Sequence, residues 1–190
     1  MLNLIIFGPP GAGKGTQAAL IAKKYKLTHL SSGEILRQEL KNGELGSKIK
    51  NYQTSGKLVP DALIIKMMES AIQKNFNGRG FIFDGYPRTI KQAKALNKFY
   101  QTNKIFLSLI INLKLSEPEA AKRILLRGKT SGRSDDNTRT IGKRFQVYRQ
   151  ATEPILEYYK KQKKLINIDG RPDIKTIFQF IAEQIKNSQK

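Results

Sequence analysis

The chain has 190 residues, no cysteine and a single histidine, His29, which excludes a disulfide framework and a Cys/His zinc site and suits a reducing cytoplasm. Thirty-five basic against fifteen acidic residues give a formal charge of +20, which favours anionic ligands; the basic residues are scattered apart from Lys160, Lys161, Lys163 and Lys164, so a basic solvated surface is expected and no nucleic-acid partner. The first apolar run is broken at Gly8-Pro9-Pro10-Gly11 and no run reaches the length of a membrane span, so neither secretion nor a membrane partner is expected.

The first predicted strand, 2–7, runs directly into residues 8–16, GPPGAGKGT. Gly8, Gly11 and Gly13 let the backbone turn tightly and aim consecutive N–H groups at one anion, and Lys14 adds a positive charge where a helix, 15–25, begins. This is a phosphate cradle suited to a nucleoside triphosphate. It departs from the G-x-x-x-x-G-K-[ST] form, since Gly15 stands where the hydroxyl is expected and Thr16 follows one residue later.

A second strand, 28–30, leads to Ser31-Ser32-Gly33-Glu34, which fits a helix capping box and leaves Ser32 and Arg37 to face a second ligand. Residues 31–60 hold two short helical stretches parted at Asn42-Gly43 and closing at Ser55-Gly56-Lys57, an inserted small lobe. After Pro60 a helix is expected over 61–75. Strand 79–84 ends at Asp84, and Gly85-Tyr86-Pro87-Arg88 turns the chain away from the sheet. Asp84 suits a hydrated Mg²⁺ shared with substrate phosphates, and the planar fork of Arg88 suits phosphate oxygens. Helix 89–101 carries Gln92, whose amide can pair with a base edge.

A fourth strand is expected over 105–111 and a helix over 117–127, on which Arg123 and Arg127 share a face. Residues 128–137, GKTSGRSDDN, read as a mobile polar loop and candidate lid containing Arg133. A long helix, 138–162, carries Arg144 near its start; strand 164–168 and helix 173–187 close the pattern. The alternation predicts an α/β fold, a parallel five-stranded sheet covered on both faces, with ligands at the C-terminal ends of the strands.

The motifs GPPGAGKGTQ (8–17), LSSGEILR (30–37), GKLVPD (56–61), DGYPRTIKQA (84–93), RILLRG (123–128), GRSDDN and TIGKRF (132–145) occur in the order and spacing of adenylate kinases, and the chain resembles that family over essentially its whole length. The resemblance implies a P-loop NTPase-type three-layer α/β/α fold with core segments 1–30, 61–127 and 138–190, a helical NMP-binding lobe at 31–60 and a short lid at 128–137. It implies Mg²⁺-dependent transfer between ATP and AMP to give two ADP, in a cytoplasmic monomer. Gly11, Ala12, Gly13, Lys14, Gly15 and Thr16 would bind the ATP phosphates, with Arg127 covering the ATP side and the Gly170-Arg171 loop lying against its adenine. Lys14, Arg88, Arg123, Arg127, Arg133 and Arg144 would stabilise the transferring group. AMP would be held by Ser32, Arg37, Lys57, Leu58, Val59, Gly85, Tyr86, Pro87, Arg88 and Gln92, with Arg133 and Arg144 reaching its phosphate, and Asp84 would meet Mg²⁺ through water.

Three positions depart from the family pattern: Ser32 replaces a commoner threonine, Pro60 stands where threonine is frequent, and the lid is the short form without the four cysteines of a zinc site. A UMP/CMP kinase shares the fold, but tends to have alanine at Ser32 and asparagine rather than the Thr89 and Gln92 found here. A basic P-loop nucleic-acid-binding protein or GTPase is disfavoured because Asn112-Leu113-Lys114-Leu115 lacks the aspartate of a guanine-reading motif.

Overall fold

Leu4–Phe7 (β1) is buried on both faces, as the central strand of a parallel sheet must be. In the computed structural model, which describes residues 1–40, 43–76, 78–131 and 135–188, β1 lies between β3 (Phe81–Asp84) and β4 (Leu109–Lys114). With β2 (Thr28–Ser31) and β5 (Leu165–Asp169) they form a parallel sheet of order β2-β3-β1-β4-β5.

Side chains alternate between the two faces. Ile5, Phe7, Phe83 and Ile110 pack against α4 (Asp61–Lys74), α5 (Ile90–Thr102) and α8 (Glu153–Lys160), through Met68, Leu96 and Tyr159 among others. Leu4, Ile6, Ile82 and Ile111 pack against Ile21 of α1 (Lys14–Tyr25) and Ile177, Ile181 and Ile185 of α9 (Ile174–Asn187). The result is three layers. The chain builds β2 and β3 on one side of β1 before crossing to β4 and β5, so the topological switch lies at the C-terminal end of β1, where such sheets bind ligands.

The segment after β2 folds as α2 (Ser32–Glu39) and α3 (Gly43–Thr54), with Ser31 Oγ accepting from Glu34 N–H at 3.4 Å. The remaining helices are α6 (Glu117–Ser131) and α7 (Thr138–Val147), joined by a small core of Ala120, Ile124, Ile141 and Phe145.

Three elements differ from the sequence reading. The fourth strand starts and ends later than 105–111, because the alternation of buried Ile105 and Leu107 with exposed Phe106 belongs to an approach segment. That approach is held by buried Asn3, whose Nδ2 donates to Phe106 O at 2.9 Å and whose N–H donates to Ser108 Oγ at 3.0 Å. Helix α6 continues through Ser131, into the segment expected to be loop. Gly128 permits this, since a Cβ there would stand 2.3 Å from the returning carbonyl of Asp136. Finally, the expected helix 138–162 is interrupted by a π-turn, Tyr148–Thr152, just before Pro154 at the start of α8. Proline has no N–H to donate and its ring crowds the preceding turn, so a wider turn there relieves both.

Candidate active site

The cradle leaves β1 with Gly8, Gly11 and Gly13 all at positive φ. At Gly11 the requirement is doubled, because a Cβ would meet the Ala120 carbonyl of α6 at 2.4 Å. Ala12 is buried and donates its N–H to Pro9 O at 3.1 Å, while Gly13 and Thr16 face solvent beside the open end of α1. Lys14 folds inward, its Nζ donating to Gly8 O at 2.8 Å and Pro9 O at 2.9 Å. Burial pushes its ammonium down to about 7; Asp84 opposes this, and Arg88, Arg144 and Arg127 add to it. These charges come from three separate segments, the end of β3 with its following turn, α6 and α7, so the lysine sits at the electrostatic centre of the site. An anion in the cradle would restore its proton.

At the end of β3, Asp84 reaches toward the start of α1: a Cβ on Gly15 would lie 3.2 Å from its Oδ2. Gly85 follows with φ of 72° and its carbonyl accepts from both Ser32 Oγ at 2.6 Å and Arg88 Nε at 2.7 Å. One peptide oxygen thus orients a hydroxyl at the start of α2 and the guanidinium of the turn. Tyr86 and Pro87 are buried beneath, joined by a cis peptide bond. Arg88 is coupled electrostatically to Asp84, Arg144, Asp135 and Arg37, which brings Arg37 into the same field.

Gln92 is buried, with Oε1 accepting from Arg88 N–H and Nε2 donating to Asp61 Oδ1, both at 2.7 Å. Val59 is buried, Lys57 donates its N–H to Tyr52 O at 3.0 Å, and Leu58 lies half-buried between them. This stretch of backbone leaves α3 beside α7: a Cβ on Gly56 would meet Arg144 Cγ at 3.4 Å.

On the opposite side, Asp136 is a buried carboxylate held by two arginines. Arg127 bonds it at 2.6 and 2.7 Å, and Arg144 Nη1 bonds Oδ1 at 2.8 Å while also reaching Asp135 O at 2.9 Å. Such charge-assisted pairs fix geometry more firmly than neutral bonds. Arg123 turns elsewhere, donating to Gly170 O at 2.8 Å and Arg171 O at 3.2 Å, and so ties α6 to the loop after β5. Arg171 is exposed and paired with Asp169 at 2.7 Å. Arg133 lies outside the described residues.

Sequence reasoning passed over Asp61, Asp136 and Thr152. Asp61 looks like an ordinary first-turn acid, and Thr152 Oγ1, which donates to Arg88 O at 3.2 Å, is seated by the π-turn. The adjacent acids Asp135 and Asp136, set among arginines in so basic a chain, were the available signal.

Residues 6–164 match the family model described as adenylate kinase. The chain is 47% identical over 188 residues to an adenylate kinase of Parabacteroides distasonis, covering 98% of this chain and 99% of that protein. It is 45% identical over 188 residues to that of Azobacteroides pseudotrichonymphae, covering 98% of each. With the adenylate kinase of Flavobacterium psychrophilum it shares 45% identity over 189 residues, 98% of this chain and 100% of the relative. Likeness of this extent, over nearly the whole of each chain, makes the chain a member of the adenylate kinase family, phosphotransferases of the nucleoside monophosphate kinase class.

Proposed function

We propose that the chain transfers the γ-phosphoryl group of ATP directly to AMP, reversibly, giving two ADP. The observation that carries this reading is the convergence on Lys14 of Asp84, Arg88, Arg127 and Arg144 from three segments around a phosphate cradle. The second phosphate pKa of AMP is near 6, so at neutral pH its oxygen is already a nucleophile and needs no general base. That oxygen forms the new P–O bond as the bond to the β-bridging oxygen breaks and ADP leaves. The site must align these atoms in line and offset roughly six negative charges on the two nucleotides, which the lysine and arginines do.

In this reading Gly11 to Thr16 and Arg127 hold ATP, with Arg123 fixing the Gly170-Arg171 loop against its adenine. Ser32, Arg37, the 57–59 backbone, Gly85 to Arg88 and Gln92 hold AMP, and Arg144, with Arg133, reaches its phosphate. Asp84 fits Mg²⁺: it is a hard oxygen donor facing the cradle, and a lone carboxylate suits an ion that keeps its waters and shares substrate phosphates. Among the described residues no group of three or more His, Cys, Asp or Glu side chains forms a cage for a metal. When bound, the ion supplies charge neutralisation at the phosphates. A cytoplasmic monomer belongs to the same proposal, supported by the cysteine-free composition and the family likeness; among the described residues no helix is long and apolar enough to cross a membrane.

The test is a coupled ADP-formation assay with Mg-ATP and, separately, AMP, UMP and CMP, beside Arg88→Ala. Strong activity with AMP, lost in the variant without a matching fall in Tm, supports the proposal. Preference for UMP or CMP overturns the acceptor assignment, and no transfer to any of them overturns the activity.

A further inference from the structure

Asp61 opens α4, immediately after the inserted lobe, and its Oδ1 receives two bonds: from Gln92 Nε2 at 2.7 Å and from Thr89 Oγ1 at 3.0 Å. Thr89 Oγ1 in turn accepts the N–H of Gln92 at 3.1 Å, and the N–H of Arg88 donates to Gln92 Oε1 at 2.7 Å. The network has one consistent polarity. An ionised carboxylate only accepts, so the nitrogen of the Gln92 amide must face it; a backbone N–H only donates, so the oxygen must face Arg88. Reversing the buried amide would set oxygen against carboxylate and N–H against N–H, leaving buried polar groups unpaired.

We propose that Asp61 is a positioning residue that fixes the polarity of Gln92 and thereby makes the acceptor site select a 6-amino purine over a 6-oxo purine. This rests on the reading that Gln92 faces the acceptor base. The locked amide has one N–H and one oxygen lone pair left over. Adenine offers the complement, an amino donor at C6 beside the N1 acceptor; a 6-oxo purine offers the reverse, an acceptor at C6 beside an N1 donor. A free amide would rotate to suit either base. The specificity is therefore set one residue back from the contact, in the acid at the end of the lobe.

The experiment compares kcat/KM for AMP and for inosine monophosphate, which differs only in the 6-substituent and the N1 hydrogen, in the native enzyme, Asp61→Ala, Gln92→Ala and the double variant. The ratio of the two substrates is independent of the folded fraction, so loss of stability in a variant does not obscure it. An alanine at 61 leaves the amide nitrogen no acceptor and frees it to turn over, so Asp61→Ala should lower the AMP preference about tenfold or more, the scale of one bidentate base contact. Gln92→Ala should lower it as far, and the double variant should add nothing further, because Asp61 acts through Gln92. An unchanged ratio in Asp61→Ala, with its fall in Gln92→Ala intact, overturns the positioning role alone; so does a double variant whose effects multiply. An unchanged ratio in Gln92→Ala overturns the underlying base contact and this inference with it.

Discussion

Arg127 grips Asp136 with two parallel bonds, Nε to Oδ2 at 2.6 Å and Nη2 to Oδ1 at 2.7 Å, on a carboxylate with no exposed side-chain surface. The grip keeps the guanidinium in one plane before any nucleotide arrives, and the Arg144 contact to the same Oδ1 sets the spacing of the two cations. Without the acid, Arg127 would lose its bidentate partner, while Arg144 would keep only Asp135, whose Oδ2 lies 3.1 Å from its Nη1.

Burial opposes ionisation of Asp136, but bonds from Arg127 and Arg144 outweigh it and hold its carboxyl below the usual carboxylate range. A carboxylate depressed in the folded state contributes stability that is present above the unfolded value, about 3.9, and lost as pH falls through the folded one. Asp136→Asn should therefore cost about 1.5–3 kcal/mol at neutral pH, the worth of hydrogen bonds to a charged group. Urea denaturation should show this deficit at pH 7 and its shrinkage in acid, alongside a loss of kcat.

Lys14 is depressed as well, but there it is the charged form that the fold disfavours. Burial lowers it to about 7 in the ligand-free site, below its unfolded value, so the folded state holds fewer protons between the two values and this group's contribution to stability rises with pH across that window. Phosphate binding should reverse the shift and take up a proton. Calorimetry of ADP binding in buffers of different ionisation enthalpy should show proton uptake above pH 7 and weaker affinity as pH rises. Lys14→Met should abolish that linkage and lower kcat by more than a hundredfold, since a cation near a phosphate at an effective dielectric of about 20 is worth on the order of 4 kcal/mol before desolvation.

Gly85→Ala should harm the acceptor side. Its φ of 72° disfavours a side chain, and the new Cβ would stand 2.8 Å from both Ser32 Oγ and Arg88 Nη2. The strain is worth about 1–3 kcal/mol. Steady-state kinetics should show the AMP KM rising while the ATP KM holds.

Arg123→Ala tests a division of labour among the arginines. Because its fork is spent on Gly170 O and Arg171 O, the variant should raise the ATP KM and change kcat little, whereas Arg127→Ala should lower kcat. Equal losses of kcat in both would return Arg123 to the transferring group.

Much of this architecture was legible in the residues. Buried runs ending in Gly8 and Asp84 set the cradle and the acid at neighbouring strand ends, and glycine spacing set the turn. What escaped was set by contacts distant in sequence. The apolar rhythm of 105–108 mimics a strand because Asn3 pins it alongside the sheet. Asp61 and Asp136 owe their importance to partners on other elements, which helical and strand periodicities do not report. The exposed polar composition of 128–131 suggested a loop, where packing of Gly128 on the Asp136 backbone carries the helix onward.

The π-turn at Tyr148–Thr152 is a phase correction in one long rod. The rod must aim Arg144 at Asp136 from its first half and bury Ile155 and Tyr159 under the sheet from its second. A helix turns about 100° per residue, so the wider turn resets the face that α8 presents relative to α7. Trimming one residue from this turn would tidy the helix and swing Tyr159 out of the core, while Thr152 would lose the Arg88 carbonyl.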